Sequence, residues 1–401
     1  MVETRKLSIR NIILVCLFLA ISGIILFGYF CQDAVCALTK RENSYTNERM
    51  ISDSGKQNNI LSGIGLSYED VLNDDFQFDM DGHDVMVFLH IQKTGGTSFG
   101  RHLVRDLDLK RPCECQRKRK RCFCFRPHRN ENWLFSRYST GWKCGLHADW
   151  TELTNCVDEE LNKNEGETSK RRYLYITILR EPISRYMSEY RHVKRGATWK
   201  GSRHWCLGKQ ASAEELPPCY QGNDWLGVTL NDFASCESNL AINRQTRMLA
   251  DLAQVGCYNK TGFDPKERER IMLASAKEHL AAMAYFGLTE YQKISQYIFE
   301  ETFNLRFAIP FEQHNSTISQ SSLNSLQKQQ VDKIKKLNSL DIELYTFAKN
   351  LLFQRFQRLR NKDVNFKKRF ANLGNINYSK QGITEFNWDR NIDDPSLIRE
   401  T

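Results

Sequence analysis

The sequence predicts an α/β protein with a central, mainly parallel sheet and additional C-terminal helices. Two apolar runs, 85–91 (VMVFLHI) and 173–179 (YLYITIL), have the length and composition of buried strands. Each run is followed by a loop and then by a helical segment, over 97–107 and from Pro182 to about residue 193. Repeated strand–loop–helix units indicate parallel strands that are joined by crossover helices.

The composition indicates a chain that can fill a large core. Its 401 residues include 23 Phe, 15 Tyr and 7 Trp, which excludes wholesale disorder. Only 8 Pro and 22 Gly are present, which excludes collagen-like and low-complexity classes. The formal net charge of +9 favours an anionic partner without identifying it.

The N-terminal region contains one candidate membrane segment. Residues 12–31 carry no charge, and twenty helical residues span about 30 Å, which is one hydrocarbon core. Because Arg5, Lys6 and Arg10 precede it, residues 1–11 are expected to form a cytosolic tail and the rest to be exported. The alternative is a cleaved signal peptide with small residues near position 37. The length of the apolar run favours a type II signal anchor.

The remaining chain divides into three predicted regions. Residues 32–80 are polar and aperiodic and are interpreted as a stem. Residues 81–360 form the predicted main folded domain, in which 266–304 and 322–360 look helical. Residues 361–401 are predicted to be a polar tail. The apolar stripe of 322–360 is expected to pack on the sheet rather than to bind a partner.

The cysteines and sequons agree with an exported chain. Thirteen cysteines favour an oxidising compartment, and ten of them lie beyond residue 100, an even number that permits complete pairing. Three Asn-X-Ser/Thr triplets, at Asn259, Asn315 and Asn377, are potential glycosylation sites.

The strongest chemical signal is HIQKTGGTS, between the first predicted strand and helix. Glycines let the backbone approach a ligand, and a helix start offers free N–H groups and a positive dipole end. Since Lys93 adds charge, this segment predicts an anion cradle, although Lys93 precedes the glycines, unlike a Walker loop. An ordinary glycine-containing turn is the alternative. The candidate residues are His90, Ile91, Gln92, Lys93, Thr94, Gly95, Gly96, Thr97 and Ser98.

A second candidate anion site follows the second strand. Arg180 closes that strand, and Ser188 lies eight residues later in the following helix. Arginine can hold a phosphate by forked hydrogen bonds, although Arg180 in a salt bridge is the alternative. Two such sites on one sheet suggest a ligand with phosphate groups at both ends, bound at the carboxyl edge of the strands.

Six stretches carry a resemblance to a known family. They are FLHIQKTGGTSFGRHLV (88–104), WLFSRYSTGWKCGLHADWTELTNC (133–156), LREPISRYMSEYRHVKRGATWK (179–200), ELPPCY (215–220), NRQTRMLADL (243–252) and FGLTEYQ (286–292). The chain resembles Golgi sulfotransferases, and most closely the heparan sulfate 6-O-sulfotransferases. The resemblance covers about residues 80–360 and is most specific in the first three stretches.

The resemblance implies the donor 3′-phosphoadenosine 5′-phosphosulfate and the acceptor heparan sulfate. The loop from Gln92 to Ser98 is similar to the family's 5′-phosphosulfate site, and Arg180 with Ser188 to its 3′-phosphate site. A later loop, Glu312, Gln313 and His314, resembles the segment that closes over the adenosine. The implied enzyme is a single-pass Golgi membrane protein with a luminal domain, and it requires no metal.

The resemblance also implies catalytic roles for two residues. His147 in GLHADW matches the family's proposed base, and a histidine has a pKa suited to accept the hydroxyl proton. Without that motif, a core histidine would be the preferred interpretation. Lys93 is expected to stabilise the charge on the bridging oxygen as the S–O bond breaks.

A cysteine-flanked basic run follows the first helix. In an antiparallel hairpin without a bulge, the residue numbers of facing residues have a constant sum. Cys113 and Cys124 have the same sum as Cys115 and Cys122, which predicts that they face each other as two pairs. We therefore expect one or both disulfides to hold a tip of five consecutive cations. A zinc site is disfavoured by the spacing and by export. A solvated loop, a furin-like site or a nuclear signal are the other interpretations of the charge run.

The family match places seven residues at acceptor-contact positions. Cations can bind sulfates and carboxylates, and tryptophan can stack on a sugar. The alternative for Trp142 and Trp199 is that they are core residues, because tryptophan is usually well buried. The implied acceptor residues are Lys120, Arg121, Arg137, Trp142, His147, His192 and Trp199.

Other functions fit the sequence less well. A sulfotransferase for another hydroxyl or glycan would share the donor loops, so product analysis must separate the two. An inert heparan-binding protein would not need Lys93, Arg180 and His147 together. A nucleic-acid partner is disfavoured by export and by the cysteine content, and a nucleotide kinase by the order of the phosphate loop.

Overall fold

A four-stranded parallel sheet forms the centre of the computed structural model, which describes residues 76–116, 121–166, 170–199, 201–311 and 326–375. The sheet order is β4-β1-β5-β8. β1 pairs with β5 over six residues, from Asp84 opposite Arg172 to Leu89 opposite Thr177. The predicted α/β fold is confirmed. The sheet strands are β1 (Asp84–Leu89), β4 (Leu134–Phe135), β5 (Arg172–Leu179) and β8 (Tyr285–Leu288).

The central strands are buried because helices cover both faces of the sheet. All six residues of β1 are buried, as are the last four of β5. Continuous apolar strands of this kind are typical of parallel sheets. The helices of the described residues are α1 (Gly96–Arg105), α2 (Trp150–Thr154), α3 (Val157–Glu165), α4 (Pro182–Lys194), α5 (Leu230–Ser235), α6 (Arg244–Leu249), α7 (Pro265–Ala282), α8 (Gln292–Phe303), α9 (Lys328–Leu337), α10 (Ser339–Lys362) and α11 (Phe366–Ala371).

The prediction of one helical stretch over 266–304 is wrong. The stretch is divided into α7, the edge strand β8, a 3-10 turn at Thr289–Tyr291, and α8. β8 has four residues, too few to show strand periodicity between two long helical patterns. This strand matters for the site, because it brings Thr289 to the carboxyl edge of the sheet beside β5.

The packed region extends beyond the predicted limits of 81 and 360. Phe78 is buried and contacts the ring of Trp133, with ring centroids 6.1 Å apart. At the other end, Phe366 of α11 contacts Tyr297 edge-to-face, with ring centroids 5.3 Å apart. Leu373 is also buried. Aromatic contacts therefore attach both flanks to the α/β core.

In the described part of the chain, five disulfides connect segments outside the central sheet. Cys113–Cys124 and Cys115–Cys122 confirm the predicted pairing, with β2 (Glu114–Cys115) and β3 (Cys122–Phe123) forming an antiparallel hairpin. A second hairpin consists of β6 (Trp205–Cys206) and β7 (Lys209–Gln210). The other disulfides are Cys144–Cys156, Cys206–Cys257 and Cys219–Cys236.

Several predicted features lie outside the described residues. These are the tail 1–11, the segment 12–31, nearly all of the stem and the end of the C-terminal tail. Among the helices that the structure describes, none has the length and apolar character needed to cross a bilayer.

Candidate active site

Three strand ends meet at the carboxyl edge of the sheet. After β8, the Thr289 hydroxyl donates to the carbonyl of Thr94 (2.6 Å) and lies 2.9 Å from the carbonyl of Leu179. After β5, Arg180 Nη1 donates to the carbonyl of Lys93 over 3.2 Å. The two predicted anion sites therefore belong to one edge, as expected from parallel neighbouring strands.

The loop between β1 and α1 has the shape of an anion cradle. Gly95 is the N-cap residue of α1 and has a φ of 84°. It has no side chain that could bond to the first N–H groups of the helix, so these groups remain available to a ligand. A Cβ at Gly96 would lie 2.4 Å from Cδ2 of His90, so only glycine fits there. Lys93 itself has a φ of 66°, which is uncommon for a residue with a side chain.

Buried polar atoms at this loop fit a polar ligand. Gln92 Oε1 and His90 Nδ1 are both buried, and neither has a hydrogen-bond partner among the described residues. Leaving such groups unsatisfied costs free energy, so a bound group with polar atoms would stabilise this arrangement. Ile91 and Thr94 are also buried, and the Thr94 hydroxyl donates to the Ile91 carbonyl, so these two support the loop from within.

A hydrogen-bonded amide positions Arg180. The side chain of Gln245 on α6 accepts from the backbone N–H of Arg180 and donates to its carbonyl, both over 2.9 Å. Two hydrogen bonds from one side chain therefore fix the backbone at the end of β5. Ser188 lies on α4 and lines the same cleft as Arg180.

A cleft of about 1360 Å³ brings the predicted donor and acceptor residues together. Its size suits a ligand larger than a nucleotide alone. The sequence-predicted residues that line it are His90, Gln92, Lys93, Gly95, Gly96, Thr97, Ser98, Arg121, Arg137, Trp142, His147, Arg180, Ser188, His192 and Trp199. Lys120, Glu312, Gln313, His314 and the sequons at Asn315 and Asn377 lie outside the described residues. Asn259 is exposed on a turn.

His147 is buried and held by the backbone of the phosphate loop. Its Nδ1 lies 3.1 Å from the carbonyl of His90. Since a carbonyl only accepts, Nδ1 carries the proton and Nε2 of the neutral ring keeps its lone pair. Like Lys93, His147 has left-handed backbone, with a φ of 54°. Such conformations cost free energy and cluster at functional sites.

Aromatic rings surround His147. The ring centroids of Trp142 and Trp199 lie 4.7 and 5.1 Å from that of His147. His192 packs on the other side of Trp199, with centroids 5.5 Å apart, and the Arg137 guanidinium lies 5.4 Å from the Trp142 ring. Trp142 is 38% exposed. Both tryptophans thus line the cleft, and their interpretation as core residues is wrong.

A buried ion triad supports this aromatic wall. Glu189 on α4 pairs with Arg185 and Arg244, and Arg244 Nε donates to it over 2.9 Å. Burial alone would raise the pKa of Glu189, but Arg244 and Arg185 outweigh it and hold that pKa at about 2. The indole N–H of Trp199 donates to the same carboxylate over 3.3 Å. The triad therefore links the core to a cleft wall.

We expect kcat/KM to fall in acid only well below pH 6.5, which is the ordinary pKa of histidine; this fall is the acid limb of the pH profile. Burial, and then the cations Arg137 and Arg244, lower the pKa of His147 to about 3, against the raising effects of Glu189 and the His90 carbonyl. Only the neutral ring can accept a proton, so the pH must fall to that low pKa before this form of His147 is lost. Arg137→Gln should therefore raise the pKa and move the acid limb of the pH–kcat/KM profile upward.

The matched control for this pH profile is Arg121→Gln, since Arg121 also lines the cleft but donates to the carbonyl of Thr140. It should lower acceptor affinity and leave the acid limb in place. An acid limb near pH 6.5 that neither variant moves would contradict the electrostatic account.

The sequence did not identify several cleft residues. Arg101 lies three residues after Ser98 on α1, so helical spacing could have indicated it. Lys143 and Arg203 lie in loops, and Trp205 lies on the short strand β6, which is held by a hydrogen bond to Glu152, 53 residues away. In the described ranges, no group of three or more His, Cys, Asp or Glu is arranged to hold a metal ion.

Comparison with known proteins identifies the family. A profile described as "Sulfotransferase family" matches residues 76–348. A Danio rerio heparan-sulfate 6-O-sulfotransferase 3-B is 52% identical over 78% of this chain and 76% of its own length. The Cricetulus griseus heparan-sulfate 6-O-sulfotransferase 1 is 56% identical over 71% of each chain, and the Gallus gallus heparan-sulfate 6-O-sulfotransferase 2 is 47% identical over 88% of each. The chain therefore belongs to the sulfotransferase family, among the heparan-sulfate 6-O-sulfotransferases.

Proposed function

We propose that this protein transfers a sulfonyl group from 3′-phosphoadenosine 5′-phosphosulfate to the 6-hydroxyl of glucosamine in heparan sulfate. The observation that carries the proposal is the placement of His147 between the phosphate loop and the tryptophan-lined wall of one cleft. Relatives that are 47–57% identical are named for this reaction. Donor and acceptor sites on either side of one base suit an in-line transfer.

The residues at the sheet edge suit the donor. The uncapped start of α1 and the Lys93 side chain would hold the phosphosulfate end, and Arg180 with Ser188 the 3′-phosphate. Lys93 would stabilise the negative charge that develops on the leaving phosphate oxygen. His147 Nε2 would accept the proton of the 6-hydroxyl while Nδ1 stays bonded to the His90 carbonyl.

The other wall of the cleft suits a sulfated glycan. Arg121, Arg137 and His192 surround two tryptophans, so charged groups can bind sulfates and carboxylates while a ring stacks on a sugar. Two disulfides hold the β2–β3 hairpin next to Arg121. The alternative, an inert heparan-binding protein, would use these cations but not the phosphate loop.

The sequence supports a membrane setting for this reaction. The uncharged run 12–31, preceded by basic residues, suits a type II anchor in the Golgi membrane with the catalytic domain in the lumen. The five disulfides and the exposed Asn259 agree with an oxidising, glycosylating compartment. Protease protection of the full chain in sealed Golgi vesicles tests this orientation.

Product mapping tests the activity. The full chain from a eukaryotic host is incubated with labelled donor and with N-sulfated heparan that lacks 6-O-sulfate, and the product is cleaved to disaccharides. Label at glucosamine O6 is expected. Label at another position would overturn the regiochemistry, and binding of the glycan without transfer would favour the inert binder.

A further inference from the structure

We propose that the β6–β7 hairpin forms an additional sugar-binding subsite, which contacts the acceptor chain beyond His147 by apolar stacking. The subsite is the surface of Arg203, Trp205 and Leu207. It rests on the proposed function, because its ligand is the same heparan chain. Arg203, Trp205 and Leu207 are not among the acceptor positions predicted from the sequence.

Hydrogen bonds place the hairpin directly beside the segment that contains His147. His147 faces the phosphate loop through the His90 carbonyl, whereas the carbonyl of the preceding Leu146 accepts from the Ser202 hydroxyl over 2.9 Å. The backbone N–H of Trp205 donates to Glu152 over 2.8 Å. The same cleft is thus lined by the phosphate loop, by His147 and by the hairpin, so a chain bound at His147 can extend over the hairpin.

The hairpin presents apolar groups to this part of the cleft. Trp205 is 41% exposed and Leu207 is 68% exposed, and both line the cleft. An exposed indole beside a cleft of cations has the shape and chemistry to stack on the apolar face of a sugar ring. Since isolated apolar side chains are common on surfaces, the pair requires a second observation.

The turn supplies that observation. Leu207 and Gly208 form the two-residue turn, with φ values of 50° and 74°. Turns of this kind favour Asn or Asp at the first position, and a bulky apolar residue there is an outlier. The fold therefore keeps an exposed leucine at a position where asparagine would fit with less strain. Strained positions that persist are frequent in ligand-binding surfaces.

The hairpin is rigid enough to bind a sugar with little loss of entropy. Cys206, between the two exposed apolar residues, is buried and bonded to Cys257. Glu152 holds Trp205 and also caps α2 by bonding the Asp149 backbone over 2.8 Å. A preformed surface binds more tightly than one that must be ordered first.

Trp205→Ala and Leu207→Asn test the subsite. We expect each to raise KM three- to tenfold for a long N-sulfated oligosaccharide, with kcat within about twofold, since a ring contact contributes this range of affinity. A short oligosaccharide that cannot reach the hairpin should show no change. Leu207→Asn should retain the fold, because asparagine tolerates the left-handed conformation. Binding of the long chain in the presence of 3′-phosphoadenosine 5′-phosphate gives a second readout without turnover.

The matched control is Leu226→Asn, because Leu226 is 69% exposed but does not line the cleft. It should match the wild type. An unchanged KM and affinity for the long chain in both hairpin variants would overturn the subsite. An effect that disappears at raised salt would also overturn it, since apolar stacking is not screened as ion pairs are. Wild-type turnover reports separately on the proposed function.

Discussion

Replacing His147 with asparagine or alanine is expected to lower kcat by a factor of about 10² to 10⁴, the range that general bases contribute. Neither side chain can accept the hydroxyl proton. Asparagine is the more informative variant, because it tolerates the left-handed backbone that His147 adopts, with φ 54°. The measurement is steady-state turnover with saturating donor and acceptor, together with donor affinity by calorimetry.

Donor affinity should stay within a few-fold, since His147 contacts the phosphate loop at its first residue, His90, through the carbonyl and through the ring, whose centroid lies 4.9 Å away. His128→Ala is the control, because His128 is exposed and does not line the cleft. Normal turnover in both His147 variants would reject the base assignment. Loss of donor binding would instead indicate a role in folding of the loop.

Glu189→Gln is expected to destabilise the protein by about 3–5 kcal/mol, the cost of leaving buried charges without their partner. Glu189 is fully enclosed and neutralises Arg185 and Arg244, and glutamine cannot balance two guanidinium groups. The measurement is the free energy of unfolding in denaturant at neutral pH with the disulfides intact. Turnover should also fall, since Trp199 loses its charged partner.

The pH dependence provides an internal check on Glu189. Its pKa of about 2 in the folded chain lies below the ordinary 4.5, so its contribution is complete above pH 4.5 and is lost as pH falls towards 2. The difference between wild type and variant should therefore shrink in acid. Glu267→Gln, which breaks an exposed pair with Arg270, should have a far smaller effect. Equal effects of the two substitutions would contradict the triad's role.

The parts of the fold that the sequence predicted depend on local signals. β1, β5, their loops and the first helices were recognised because apolar runs, glycines and Pro182 act within about ten residues. The cysteine hairpin was recognised for the same reason, since its cysteines are at most 11 residues apart. Local sequence was also sufficient to indicate the anion cradle.

The unrecognised parts depend on contacts between distant residues. The Thr289 hydroxyl donates to the carbonyl of Thr94 in the phosphate loop, 195 residues earlier in the sequence. Thr289 follows β8, a strand that is too short to show periodicity. Glu189 meets Arg244 across 55 residues, and no local pattern marks a glutamate as buried. Trp205 reaches the cleft through a hydrogen bond to Glu152. These positions follow from packing of the whole domain, which one sequence does not encode in any short window.

The disulfides are distributed unevenly among the segments that form the cleft. β1, α1 and β5, which flank the phosphate loop and Arg180, contain no cysteine and are organised by the sheet and its hydrogen bonds. Among the described residues, Cys144–Cys156 instead closes the segment that contains His147, and Cys206–Cys257 holds the β6–β7 hairpin. We therefore expect that reducing the disulfides disorders the segment around His147 and the β6–β7 hairpin before it affects the central sheet.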